Sequence, residues 1–511
     1  MTLRDRREES GRLVAGLSRL LTQRRGLLAL YLIFAAAYLG ASGGRLRQHS
    51  FYNHDVYLAD GWLHGRLALA GPPPNENDWA KVDVLTLRDG RSVRGWYGGR
   101  GGPPDRFYPL RGGAFTVAAG EIVGRQEIRY VSFPPLPAVL MLPFVAVAGL
   151  AFNDVVFTAL WAAGNPVLLF LLLRSLAARG WSRRTPIDDL WLTLLFGVGS
   201  VYYFCAVVGE VWFTAHMVAV TATIGFAWAA IDAHRPRLAG LFVGAMIATR
   251  PPALMAVLFV LEAARVSGLV TRVPVAPSLA PAAPSGETAP PAPLAPLPAS
   301  ILRRWVWTTD PRALPAFARR LAAFAWPLGL VLLVLGVHNW VRFENPFEFG
   351  HRYLNIGWQE RIQRYGLLNY HFLSRNLTAA LLLLPRILTR WPFIKISQHG
   401  MSLLVTSPAL AYTVAPAERS RLALPLWLTV LAEALPSLLY QNSGYIQVGY
   451  RFSLDYLVFL VLLIALGGRP LSRLFKLLVL CSIPVNLFLA VIFDRYPQFT
   501  FDDSFFPNGP N

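Results

Sequence analysis

Charge is scarce in this chain of 511 residues: 15% of positions are Asp, Glu, Lys or Arg, against about 25% in an ordinary soluble domain. Lysine is rarer still, confined to Lys81, Lys395 and Lys476. So few polar positions exclude a disordered chain and a string of soluble domains. Cysteine is nearly absent. Cys205 and Cys481 both lie in apolar runs, which excludes a disulfide framework and a zinc site of the usual Cys spacing. No basic run is interleaved with aromatics, which excludes nucleic acid as a partner.

Apolar sequence takes the place of charge. Hydrophobic residues make up 54% of the chain, and they gather in runs that end in charge or in Pro and Gly. This pattern predicts an all-α polytopic membrane protein with about 11 transmembrane helices. The net charge of +19 is carried almost wholly by Arg and is first a topological signal. Arg4 to Arg25 precede the apolar run Leu27–Gly40, read as a retained first helix with a cytoplasmic N-terminus. Later Arg clusters (174–184, 235–237, 265, 419–421, 469–473) fall at alternate span ends, which predicts an extracytoplasmic C-terminus. Between spans 1 and 2 lies a polar loop, 43–153, expected outside the membrane with helices lying on its surface. A stretch with nine prolines, 274–298, reads as a cytoplasmic spacer. The chain thus divides into an N-terminal transmembrane module (1–265), a Pro-rich linker (266–320) and a C-terminal transmembrane module (321–511).

With that topology, unusual polar residues collect on the extracytoplasmic side. They are His54 and Asp55 after span 1, Glu210, Trp212 and His216 after span 3, and Arg250 between two short helices. The series continues with Arg342 and Tyr353, then Tyr450 and Arg451. A single acidic or His residue at a span end is more often a solvated helix end, and aromatics there are ordinary interfacial anchors. Several loops converging on one face with carboxylates, imidazoles, Arg and aromatics are the raw material of a site. Glu433, inside an apolar run, is a functional candidate because an intramembrane carboxylate is costly. His54, Asp55 and Glu210 are also the groups able to ligate a divalent cation.

Four motifs resemble, in order along nearly the whole chain, the C-type-fold membrane glycosyltransferases that use polyprenyl-phosphate-linked sugars. That group includes the protein O-mannosyltransferases, the aminoarabinose transferases of lipid A and the rhizobial galacturonosyltransferases. The motifs are Tyr52-Asn53-His54-Asp55, Pro134-Pro135-Leu136, Gly240-Leu241-Phe242-Val243-Gly244 through Ala248-Thr249-Arg250-Pro251, and the late loops Arg342–Tyr353 and Tyr450-Arg451-Phe452. Two departures stand out. Asp55 is followed by Asp60 rather than by an adjacent acid, and Phe133 precedes Pro134 where related enzymes often carry a charged residue or His.

The resemblance implies an enzyme of the bacterial inner membrane that transfers a sugar to a glycan, lipid or protein acceptor. It implies Asp55 as the catalytic carboxylate and His54, Glu210, His216, Arg250, Arg342, Tyr353, Tyr450 and Arg451 as substrate-binding residues. The chemistry agrees independently: Arg suits an anionic lipid phosphate, and a carboxylate can assist deprotonation of an attacking hydroxyl. The alternative is a transporter or flippase of a lipid-linked or anionic substrate.

Overall fold

The computed structural model describes residues 16, 18, 20–97, 106–251, 253–274, 305–354 and 359–502. The Arg run before Leu20, and the Pro-rich stretch 274–298 beyond Pro274, lie outside the described residues. The protein is mostly helical, and five helices are long and apolar enough to cross a membrane: Arg24–Arg47, Asp154–Ala178, Val211–Ala233, Pro311–Phe343 and Arg473–Ile492. Shorter apolar helices pack among them, including Pro236–Ile247, Ala256–Val266, Ala423–Leu439 and Leu454–Leu466.

Two expected spans are not continuous helices. The run Leu190–Val208 forms Pro186–Gly197 and then Tyr202–Ala206. Gly197 and Gly199 flank the break, and Ser200 Oγ donates to the Phe196 carbonyl, competing with the ladder. The run Met401–Val414 is a four-residue helix, Leu403–Thr406, followed by a 3-10 helix from Pro408 to Val414. Ser402 and Ser407 cap and Pro408 cannot continue the ladder, so the chain restarts there.

The expectation of an all-α chain fails in the first loop. Helices His54–Leu63 and Leu136–Ala148 are there, packed against each other through Val56, Ala59, Ala138 and Met141. Between them lies a five-stranded antiparallel sheet: β1 (Trp79–Leu87), β2 (Ser92–Tyr97), β3 (Arg106–Pro109), β4 (Phe115–Thr116) and β5 (Ile122–Val131), in the order β4-β3-β2-β1-β5. Pairing of Trp79 with Val131 fixes the register of the two long strands. It sets Asp78, just before β1, beside Ser132-Phe133-Pro134, just after β5; Ser132 Oγ donates to the Asp78 carbonyl at 3.1 Å.

The two transmembrane modules expected from the sequence do not have separate interiors. One core draws Phe34, Tyr202 and Phe226 from the first half and Leu426, Phe459 and Phe475 from the second. Helix Pro236–Ile247 lies against Leu314–Phe343 across the Linker-proximal boundary through Gly240 and Gly244. A Cβ at Gly240 would collide with the Phe324 carbonyl, and one at Gly244 would come within 2.9 Å of Val331; small residues four apart let backbones approach this closely. A two-stranded ladder, Val270–Pro274 with Trp305–Thr309, joins the halves where the linker leaves and returns.

Candidate functional site

The loops do converge. A cavity of about 530 Å³ is walled by the first loop, by the start of the Val211–Ala230 helix, by the break before Ala256–Val266, by the end of Ala423–Leu439 and the start of Leu454–Leu466, and by the end of Arg473–Ile492 with the segment after it. Asp78 and Phe133-Pro134 enter it together because β1 and β5 are paired. Leu136 N–H donates to the Ala248 carbonyl at 2.8 Å, tying the Pro-Pro-Leu motif to the helix break that carries Arg250. Leu354 arrives through an antiparallel bridge to Ala80.

Asp78 is the carboxylate that sequence reading missed. Its backbone sits at φ 61°, a left-handed conformation rare outside glycine. Such strain clusters at functional sites. Trp212 Nε1 donates to its Oδ2 at 3.1 Å. Burial pushes its pKa up to about 6, against the opposing pull of the Trp212 N–H and the Arg451 charge. Glu210 caps the Val211–Ala230 helix without a side-chain hydrogen bond, and burial pushes it up to about 8. At neutral pH Asp78 is therefore largely ionised and Glu210 protonated, which fits them to the roles of proton acceptor and hydrogen-bond donor.

Two arginines line the cavity, in different situations. Arg250 is committed: its Nε and Nη2 donate to Asp455 Oδ1 and Oδ2 at 2.9 and 3.1 Å. Among the described residues the Arg451 guanidinium has no carboxylate or hydrogen-bond partner, and its Nε is buried and unsatisfied. It lies over the Phe213 and Phe452 rings at 4.9 and 5.6 Å. A buried cation without an anion, facing a cavity, is the feature a bound anion would complete. Glu433 also lines the wall, near the backbone of Leu254 and Met255, and its Oε1 is buried without a hydrogen-bond partner among the described residues. The Arg250–Asp455 pair thus ties the broken segment to the start of Leu454–Leu466.

The other residues expected in the site lie outside the cavity wall. Asp55 is buried, neither carboxylate oxygen is bonded among the described residues, and it is not part of the cavity wall; burial and the neighbouring Asp154 charge push its pKa up. His54, beside it, gives Nε2 to the Asn77 carbonyl at 3.1 Å and stacks on Trp79 at 4.0 Å. Burial lowers its pKa to about 4. His216 is fully buried behind the wall, its Nδ1 3.6 Å from Asp455 Oδ1.

Arg342 is wholly buried and structural, donating to the carbonyls of Val131 and His338 and to Asn339 Oδ1. Tyr353 stacks on Phe343 at 5.3 Å beneath the sheet, and buried Tyr450 donates weakly to Ser437 Oγ at 3.4 Å. Each of these side chains, Asp55 apart, is engaged by neighbours away from the cavity, which leaves it outside the wall. His54, Asp55 and Glu210 do not converge as metal ligands either; among the described residues no group of three His, Cys, Asp or Glu is so placed.

Glu210, Arg250 and Arg451 are the expected site residues that the structure brings together. Asp494 and His351 join them from chain positions remote in sequence. No protein-family model, curated protein or solved structure matches this chain.

Proposed function

We propose that this protein is an integral membrane glycosyltransferase that moves a sugar from a polyprenyl-phosphate donor to an acceptor at the extracytoplasmic face of the bacterial inner membrane. The observation that carries the reading is the unpaired Arg451 guanidinium sharing one cavity with the perturbed carboxylate of Asp78. Arg451 holds the donor phosphate. Asp78 takes the proton of the acceptor hydroxyl as its oxygen attacks the anomeric carbon, the bond to the phosphate oxygen breaks, and polyprenyl phosphate leaves with the electron pair. A single displacement inverts the anomeric configuration. Protonated Glu210 donates a hydrogen bond to donor or acceptor oxygen, and Trp212, Tyr52 and Tyr440 give stacking surface for a sugar.

Taken as crossings, the five long helices and the four shorter ones make nine, and the broken runs 190–208 and 401–414 complete the 11 expected, with the N-terminus cytoplasmic. The transporter reading drew on the helix break at Arg250, and the two-pronged pairing of Arg250 with Asp455 argues against that break being a moving gate. The experiment is sugar transfer in inner-membrane vesicles supplied with a panel of radiolabelled polyprenyl-phosphate sugars. Incorporation into a membrane or envelope fraction that disappears in Asp78→Asn supports the reading. Wild-type incorporation by both Asp78→Asn and Arg451→Met, at equal expression, sinks it.

A further inference from the structure

Beyond the cavity, the chain from Leu382 to Phe393 leaves large apolar side chains uncovered. Leu382, Leu384, Ile387, Trp391 and Phe393 are between 57% and 76% exposed, with Arg386 and Arg390 exposed among them. They sit on a hairpin whose strands, Arg386–Ile387 and Ile394–Ser397, pair with Arg386 opposite Lys395. The second strand continues in parallel with Thr500–Phe501. Trp391 meets Phe499 edge-on at 5.4 Å, and Phe499 meets Phe488 at 5.3 Å. Phe488 lies four residues from the end of Arg473–Ile492, one of the five long apolar helices, which is about one helical turn. That helix exposes Leu474, Leu477, Leu480 and Leu487. The patch therefore continues a lipid-facing surface at the level where a span ends.

We propose that the hairpin of residues 386–397 seats in the outer-leaflet interface of the bilayer, with Ile387, Trp391 and Phe393 among acyl chains and Arg386 and Arg390 at lipid phosphates. Aromatic and basic side chains together at the end of a spanning helix are the composition of a membrane interface. Burying this patch against water-filled space would leave several large apolar side chains solvated. The hairpin also leads directly into the cavity wall: Gln398, next after its second strand, lines the cavity and accepts from Tyr445 Oη at 3.0 Å. The inference rests on the membrane reading but not on transfer chemistry, and it assigns the side from which a lipid-borne substrate reaches the cavity.

The test is depth measurement by spin labelling in proteoliposomes of phosphatidylethanolamine and phosphatidylglycerol. In a Cys481→Ser background, with Cys205 buried, single variants Phe393→Cys, Leu480→Cys and Val123→Cys carry a nitroxide. Val123 is an exposed position on β5, in the first loop. The Phe393 label is expected to meet oxygen in preference to a water-soluble nickel chelate, with a ratio several-fold above that at Val123. A Phe393 ratio equal to that at Val123 overturns the proposal. Dipolar broadening at position 393 also overturns it, since a second copy of the chain would then cover the patch. Nickel access at Leu480 would overturn the membrane reading itself, whereas oxygen preference at Leu480 without it at Phe393 rejects the hairpin alone.

Discussion

Arg250 and Asp455 lie 205 positions apart and meet in a two-pronged pair at 2.9 and 3.1 Å. The pair joins the break between Pro236–Ile247 and Ala256–Val266 to the start of Leu454–Leu466, so it holds one wall of the cavity to another. Either single truncation leaves a buried charge alone, and breaking such a pair costs about 3 kcal/mol. Arg250→Met and Asp455→Asn are each expected to lower thermal stability in detergent, and the double variant to lose less than their sum. Additive losses would mean that the two side chains act separately.

Asp78→Asn should lower turnover by about 10²- to 10⁴-fold, the usual contribution of a general base. Asp55→Asn, by contrast, should leave most of it. Because the base must be ionised, turnover should rise with pH through about 6 and level off above. Trp212→Phe removes the N–H that favours the carboxylate, so the same limb should move to higher pH. A pH–rate profile in wild type and in each variant checks all four statements.

Arg451→Met should raise the donor KM about 10- to 100-fold, the range of one charge-assisted hydrogen-bonding group, without lowering the melting temperature, because the residue it replaces is an unpaired buried cation. Arg451→Lys should lie between, since it keeps the charge and loses the planar fork. A drop in stability larger than the change in KM would assign Arg451 to structure.

Glu210 titrates near 8 in the fold against 4.5 when unperturbed. Between those values unfolding releases a proton that the native state retains, so wild-type stability falls as pH rises across that window. Glu210→Gln has nothing to ionise there. Its melting temperature should gain on wild type from pH 5 to pH 8, by no more than a few kcal/mol in stability.

Arg342→Met is expected to cost about 1–3 kcal/mol of stability, because the Val131 carbonyl loses its buried donor. The donor KM of the folded fraction should not change. Thermal unfolding followed by initial-rate kinetics separates the two effects.

Much of the helical frame was readable because spans are long apolar runs, and ends such as Asp154, Val211 and Arg473 are marked by charge or capping residues. The convergence of Glu210, Arg250 and Arg451 was readable too, since the alternating Arg clusters sort loops by side. The sheet was not. Its strands alternate apolar and polar residues over short lengths, as in Ile128 to Val131, and a search tuned to long apolar runs passes over period-two patterns. Missing the sheet hid Asp78, whose place depends on the pairing of Trp79 with Val131. Asp55 misled for a related reason: position after a span gives the side of the membrane, not which way a side chain points once helices and sheet pack around it. Arg342 could not be told from Arg451 for the same cause, as only tertiary contacts decide which guanidinium finds carbonyls.

The ladder between Val270–Pro274 and Trp305–Thr309 brings the two ends of the intervening segment face to face. Closure is then enforced at the base of the loop, and the cost of closing it grows only with the logarithm of its length: trimming it to a third changes that cost by about 1 kcal/mol. A change in the length of the connection between Pro274 and Trp305 therefore moves the closure cost little. Any selective constraint found on that stretch would have to come from a task other than holding the two halves together.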